Sequence, residues 1–325
     1  MYSVLLVGLG NIGVGYDIDT NSSDHVMTHA RAFLQHSNFK VIGGVDNCSQ
    51  ARFRFEKHFN IRCFKRISEA CEVCSPDLLV VASPTDTHLE IIRSVFTICT
   101  PKIILCEKPL GRDLLQAKEI LKLCNQFKCQ LYVNFFRASE PGVIEIKKRI
   151  SDGKIQSPAR GVVWYSKGIV NSGSHFIHLL CLLLGDVTSV RVLNVGRLLN
   201  GKDPEPDVDI EFANGRVTFL NVHAENFFHN SLELVAVNGL LKYDFGGAKI
   251  RWFERMSDTL PHQNRNLSEV YEIIDGDFYR YQSHVVNALS CAINGDFANI
   301  ATAAQVIHTH EVLQKIVEGC HEHIG

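Results

Sequence analysis

Leu6-Val7-Gly8-Leu9-Gly10-Asn11-Ile12-Gly13 follows a largely apolar start and reads G-x-G-x-x-G at the end of a first β-strand. A second apolar run, Val41-Ile42-Gly43-Gly44-Val45, ends in Asp46. Each part of this arrangement has a mechanical use. Gly8 permits a tight turn, Gly10 lets a pyrophosphate approach the backbone, and Gly13 lets a helix pack closely on the strand. Asn11 and Ile12 lie between the last two glycines and belong to the same contact surface. The start of the following helix offers free N–H groups and a partial positive charge to phosphates. Asp46 is placed to accept hydrogen bonds from a ribose diol. The pattern predicts a dinucleotide site.

Working outward, the chain continues as alternating strands and helices. Strands are expected at 3–8, 39–45, 78–82, 103–106 and 130–135. Most are apolar without alternation, as parallel strands covered on both faces should be. Residues 113–127 carry apolar side chains at helical spacing. A doubly wound parallel sheet of the Rossmann type follows for residues 1–136. One stretch departs from that plan. Asp19 to Asp24 is too polar for a continuous first helix, so we expect a short helical turn, an exposed loop, and a helix resuming near Thr28.

From about residue 158 the runs look antiparallel: Ala159 to Lys167, Val187 to Gly196, Val208 to Phe212, Arg216 to Glu225, Leu232 to Val237 and Leu240 to Tyr243. Asn214-Gly215 and Asn238-Gly239 are hairpin signals. Helices are expected at 173–184, 278–294 and 300–320. The second domain, 137–325, is therefore read as α+β on a largely antiparallel open sheet that binds substrate and builds the oligomer. Trp164 and Phe219 are assigned to its outer face, predicting a homodimer or a tetramer of dimers.

Composition narrows the function. The 325 residues are 46% hydrophobic and carry a net charge of −2, which gives no electrostatic case for nucleic acid or an anionic membrane. The longest apolar block, Leu179 to Leu184, is far short of a membrane span. Eleven scattered cysteines fit a reducing compartment, so a cytoplasmic location is expected. Cys71-x-x-Cys74 has no second ligand pair, so no metal is expected.

Four further signals sit at predicted strand or helix ends: Ser83-Pro84-Thr85-Asp86-Thr87-His88, Glu107-Lys108-Pro109-Leu110, Asn134-Phe135-Phe136-Arg137 and Asn171-Ser172-Gly173-Ser174-His175. With Gly8 to Gly13, the P-x-x-x-H, E-K-P and G-x-H elements resemble the glucose–fructose oxidoreductase / inositol dehydrogenase (Gfo/Idh/MocA) family, in order and spacing over essentially the whole chain. The resemblance implies NAD(P)-dependent oxidation or reduction of a secondary alcohol on a sugar, cyclitol or nucleotide sugar. It assigns Lys108 and His175 to catalysis, as the positive group beside a developing alkoxide and the proton acceptor. Ser83, Pro84, Thr85, His88, Glu107 and Lys108 join the cofactor-binding set. Arg137, Asn171 and His178 are assigned to substrate.

Two positions differ from many family members, Asn171 and His178 standing where aspartates are common. Asparagine binds hydroxyls but cannot share a proton as a carboxylate does. Asp46 favours NAD over NADP, while Arg52 and Arg54 keep NADP open. Two other readings stand beside the dehydrogenase: an NAD-dependent glycosidase of the same fold, and a non-catalytic NAD(H)-binding regulator. The clusters His308-Thr309-His310, His321-Glu322-His323 and Lys147-Lys148-Arg149 read as solvated faces, and Asp203-Pro204-Glu205-Pro206-Asp207 as an exposed connection.

Overall fold

The computed structural model describes residues 1–19, 24–223, 227–256 and 267–322. It forms two compact units, Met1–Ser139 with Tyr279–His310, and Glu140–Phe278 with Glu311–Gly325. The first opens with β1 (Tyr2–Val7), α1 (His29–Gln35), β2 (Phe39–Val45), α2 (Ser49–Phe59), β3 (Cys63–Phe64), α3 (Ile67–Val73), β4 (Leu78–Val81), α4 (His88–Phe96), β5 (Ile103–Cys106), α5 (Leu114–Gln126) and β6 (Gln130–Val133). The strands make one sheet in the order β3-β2-β1-β4-β5-β6, with every pairing parallel. Val4 to Leu6 in β1 and all residues of β4 and β5 are at most 1% exposed, so both faces are covered. This is why these strands read as unbroken apolar runs. The chain leaves β1 for β2 on one side and returns to β4 on the other. That reversal opens a crevice at the carboxyl ends of the strands.

The interrupted first helix is real, and a buried acid controls it. A five-residue π-turn, Asn11–Gly15, precedes the break. Thr28 caps α1, its hydroxyl accepting the Arg31 N–H. Asp17 is 1% exposed. Its Oδ2 accepts the N–H groups of Met27 (2.8 Å) and Thr28 (3.1 Å), and its Oδ1 accepts the Thr28 hydroxyl. Arg31 Nε lies 3.6 Å from the same carboxylate. Asp17 thus closes the loop's two ends, whereas the sequence reading leaves the loop in solvent. Residues 20–23 of that polar stretch lie outside the described residues.

The second unit opens with α6 (Pro141–Ser151), β7 (Ala159–Tyr165), α7 (Ser174–Leu184) and β8 (Val187–Asn194). A small ladder, β9 (Leu198–Leu199) with β10 (Asp203–Pro204), follows. Then come β11 (Asp207–Phe212), β12 (Gly215–Asn221), β13 (Ser231–Ala236), β14 (Gly239–Asp244), β15 (Lys249–Glu254) and β16 (Glu272–Ile274). Eight strands run in the order β16-β15-β14-β13-β7-β12-β11-β8. Among the described residues, β7 and β12 are the one pair of this sheet that runs parallel. Both hairpins form, each one residue earlier than its Asn-Gly pair predicts: Phe212 pairs with Gly215 and Ala236 with Gly239, so Ala213-Asn214 and Val237-Asn238 make the turns and the glycines open the next strands. Glu225, the end of one predicted strand, lies outside the described residues.

Two expectations about this sheet need correction. Phe219 is fully buried, because it pairs with Val163 on the face that packs with Phe176, Leu180, Val312 and Ile316. Trp164, one residue along, points the other way and is 40% exposed. The outer face carries Trp164, Val235 and Ile273 but not Phe219. The connection at 203–207 is no exposed linker, since Pro204, Glu205 and Pro206 are buried.

The chain ends with α8 (Tyr281–Ile293) and α9 (Ala303–Glu322). A boundary after residue 136 would place α8 in the second domain. Instead its Val285, Val286 and Leu289 complete the core around Val4, Leu6, Phe33 and Phe39. The pattern of an amphipathic helix does not say which core receives it. On α9, Thr309 and His310 are buried, contrary to the solvated face expected there, and burial lowers the His310 imidazole from its ordinary value. His323 lies outside the described residues.

The Asp17 clasp makes a stability prediction. Asp17→Ala leaves buried donors and the Arg31 charge without their acceptor, and should cost about 3 kcal/mol in denaturant unfolding. Asp19→Ala, exposed nearby, should change stability little.

Candidate functional site

A cavity of about 960 Å³ lies at the carboxyl ends of the first sheet's strands. Gly8 and Gly10 line it, with Asp46, Ser83 and Pro84. The glycines are required for different reasons. Gly8 has φ +95°, and a Cβ there would stand 2.5 Å from the Ala82 carbonyl. A Cβ at Gly13 would stand 2.1 Å from the Gly8 oxygen. At Gly10 a Cβ would meet nothing within 4 Å. Only that glycine is kept bare for something other than the protein's own packing. A diphosphate against the backbone fits this vacant approach.

The π-turn at 11–15 is too short to sum backbone dipoles into a helix dipole. The partial positive charge expected of a helix start is therefore absent from this turn, which offers backbone N–H donors instead. Asn11, Ile12 and Gly13 form this turn but do not line the cavity.

Asp46 is held rigidly. Oδ2 accepts the Leu9 N–H at 2.8 Å, and Oδ1 accepts the Cys48 N–H at 2.8 Å. Each carboxylate oxygen keeps capacity for another donor, as binding a diol requires. Arg52 turns away, donating to the carbonyls of Asp46 and Asn47. Arg54 does line the cavity, with Lys65 and Arg66 beside it. The sequence reading missed the last two because they follow β3, which at two residues carries no periodicity.

His88 serves another purpose than the one assigned to it. It is fully buried, and its ring lies against two carbonyl oxygens, Ser83 at 2.9 Å and Leu110 at 3.1 Å. It braces the 83–88 turn against the loop carrying Glu107 and Lys108, and it does not touch the cavity. Thr85 lies in the same turn, also off the cavity wall.

Glu107 and Lys108 belong to a second cluster in this unit. Glu107 Oε1 meets His29 Nε2 at 2.8 Å and accepts the Asn134 amide at 2.6 Å. Burial pushes the Glu107 carboxyl up, but the His29 and Asn134 bonds and the Lys108 charge outweigh it and hold it below the usual range. Lys108 is half-buried. Arg137 is buried, its guanidinium 4.7 Å from the Phe136 ring centroid.

In the second unit, Asn171 and His175 share one turn. Lys167 and Gly168 both have positive φ, at 65° and 83°, which bends the chain sharply after β7. A π-turn, Gly168–Gly173, leads into α7. The Asp203 carboxylate clamps it by accepting the N–H groups of Val170 and Asn171, each at 2.9 Å. Glu205, 1% exposed, accepts the Gly168 N–H at 3.2 Å and pairs with Arg197 at 2.6 Å. These two acids build the turn, a role the sequence did not reveal. Asn171 is exposed and His175 half-buried. His178 is buried, which lowers its imidazole to about 3 and keeps it neutral at physiological pH. It packs inside rather than presenting a polar edge to solvent.

Among the described residues, no group of three or more His, Cys, Asp or Glu side chains is arranged for a metal. No helix among them is long and apolar enough to cross a membrane.

Residues 2–135 match the model of an oxidoreductase family with an NAD-binding Rossmann fold, GFO_IDH_MocA. Inositol 2-dehydrogenase of Rhizobium meliloti (strain 1021) is 28% identical over 151 residues, 46% of this chain and 41% of that protein. The matched part thus spans under half of that relative's length. Two solved structures share the fold across the whole chain. UDP-N-acetylglucosamine 3-dehydrogenase of Acidithiobacillus ferrooxidans superposes with a TM-score of 0.76 at 13% identity, covering 98% of this chain and 97% of its own. The WlbA dehydrogenase of Bordetella pertussis, in complex with NADH and UDP-GlcNAcA, superposes with a TM-score of 0.74 at 16% identity, covering 99% and 96%.

The glycines should separate binding from folding. Gly10→Val should fold normally yet lose at least about a hundredfold in NADH affinity by calorimetric titration, or about 2.7 kcal/mol. Gly13→Ala should lose about 3 kcal/mol of stability from the clash with Gly8.

Proposed function

We propose that the chain, whose residues 2–135 match the GFO_IDH_MocA model of oxidoreductases with an NAD-binding Rossmann fold, is a member of that family and an NAD-dependent dehydrogenase acting on a secondary alcohol of a sugar, cyclitol or nucleotide sugar. The observation that carries this reading is the cavity over Gly10, bare of any side chain and bordered by the fixed Asp46 carboxylate. NAD, when bound, takes up or gives back the hydride. Gly8 and Gly10 would hold the diphosphate and Asp46 a ribose diol, which favours NAD over its 2′-phosphate. Arg54, Lys65 and Arg66 on the cavity wall leave NADP a weaker second choice.

Lys108 is the proposed positive group for the oxygen that becomes an alkoxide. His175 is the proposed proton acceptor, suited by an imidazole's ability to titrate near neutrality. Asn171 and Arg137 are proposed to bind substrate hydroxyls. His178, buried and neutral, is better assigned to fixing α7 than to touching substrate. The names of two relatives support the substrate class, since inositol and a UDP-sugar both present ring hydroxyls.

The outer face of the second sheet, with Trp164, Val235 and Ile273, supports a homodimer or a dimer-of-dimers tetramer. All eleven cysteines are free, which supports a reducing, cytoplasmic setting.

Assays with NAD and a panel including myo-inositol and UDP-N-acetylglucosamine test the reaction. Lys108→Ala and His175→Ala should each lower turnover at least about a hundredfold with little change in NADH affinity. Full activity in the His175 variant would refute its role. Asn171→Asp should change KM and leave the pH optimum with His175. Separately, Trp164→Glu should convert the oligomer to smaller species in light scattering, and a wild-type monomer at micromolar concentration would dismiss the sheet interface.

A further inference from the structure

Glu107 is tied to three pieces of chain. Its backbone N–H bonds the Val81 carbonyl at 2.8 Å, extending the β4–β5 ladder. Asn134, whose N–H bonds Cys106 from the end of β6, reaches its carboxylate from one side. His29, the first residue of α1, reaches the same oxygen from another. The His29 ring is fully buried, and a buried ionic group is costly unless it is paired.

The ring's other nitrogen tells what His29 is for. Its Nδ1 is buried with no hydrogen-bond partner among the described residues. Glu107 is an acceptor, so the shared proton sits on His29 Nε2. The imidazole's one polar contact is therefore with Glu107. The chain also takes care over where His29 lands. Thr28, just before it, is gripped by Asp17 through both its N–H and its hydroxyl. The interruption of the first helix ends on this histidine.

We propose that His29 is a positioning residue for hydride transfer: by donating to Glu107 it fixes the carboxylate whose negative charge steadies the neighbouring Lys108 ammonium beside the reacting oxygen. This rests on the role given above to Lys108. His29 itself touches neither substrate nor cofactor in this account.

Among the described residues, the titratable groups that act on Glu107 are His29 from α1, Tyr281 from α8, and Cys106 and Lys108 from its own segment. Burial lifts both the Tyr281 hydroxyl and the Cys106 thiol, so both stay neutral in the working range. His29 acts on the pH response through its hydrogen bond to Glu107. The native Glu107 carboxyl titrates below its ordinary value. Without His29 its burial is less well opposed, and its protonation moves to higher pH. The loss of activity should then steepen at higher pH on the acid side, beneath the limb that His175 sets.

The test compares wild type, His29→Ala, His29→Gln and Glu107→Gln, with kcat and KM measured against pH on myo-inositol and UDP-N-acetylglucosamine. His29→Ala should lower kcat about tenfold with NADH affinity nearly unchanged, less than the loss expected of a direct acid–base group. Below the limb that His175 sets, the pH at which log kcat steepens to a second proton should move up by about one unit. His29→Gln, which can donate from its amide, should recover most of both. Glu107→Gln should lower kcat and remove that second step, leaving the His175 limb. An unmoved second step in a folded His29→Ala, or equal losses in the Ala and Gln variants, would overturn the proposal. If the wild type turns over neither probe, the dehydrogenase reading fails for those substrates. The inference is then read from NMR titration of the labelled Lys108 side chain in the NAD complex. A lower titration point in His29→Ala and Glu107→Gln supports it, and an unchanged one overturns it. Should His29→Ala fail to fold, His29→Gln and Glu107→Gln carry the same comparison.

Discussion

Two stretches of main chain approach within contact distance beside β1, and the first unit depends on that approach. The Gly8 backbone is pressed against Ala82 on one side and Gly13 on the other, with room for no side chain at either glycine. This squeeze brings the ends of β1 and β4 together and leaves the third glycine facing empty space. The strand ends then form a shelf carrying Asp46, Ser83 and Glu107. Backbone packing sets that shelf, so its geometry does not rely on the flexible long side chains around it.

Buried carboxylates do the finer positioning. Asp17 closes the interrupted first helix, Asp203 and Glu205 shape the turn before α7, and Glu107 joins β5, β6 and α1. Glu140 is another, wholly buried and accepting the N–H groups of Val143 and Asp277. Glu107 takes its donors from side chains; each of the other acids satisfies backbone N–H groups that no regular ladder could reach. The loops are therefore held by charge and hydrogen bonding where apolar packing has little to grip.

This division explains what could be read in advance. Parallel strands such as 103–106 are legible because burial on both faces writes a continuous apolar run. The hairpins at 213–214 and 237–238 are legible because tight turns restrict residue choice locally. The glycine turn and Asp46 are legible for the same reason. The rest depends on partners distant in sequence. His29 meets Glu107 across 78 positions, and nothing near His29 announces it. Glu205 lies between prolines in what reads as a linker, yet its partners lie on either side of it at Gly168, Arg197 and His223. Phe219 was placed on the wrong face because alternation reveals that two faces exist but not which one the helices cover. α8 was placed in the wrong unit because amphipathicity names a need for a core, not the core itself.

The discontinuous make-up of the first unit has a consequence for biosynthesis. Its core needs Val285, Val286 and Leu289, which the ribosome adds only after the whole stretch from Glu140 to Phe278. At about 5–20 residues per second, that delay amounts to roughly 10–30 s. Throughout it, the nascent Rossmann sheet carries an uncovered apolar surface where α8 will later rest. The second unit also waits, since Val312 and Ile316 of α9 belong to its core. Neither half can finish before residues 285–316 have emerged, so completion of the two halves waits on the same pair of late helices.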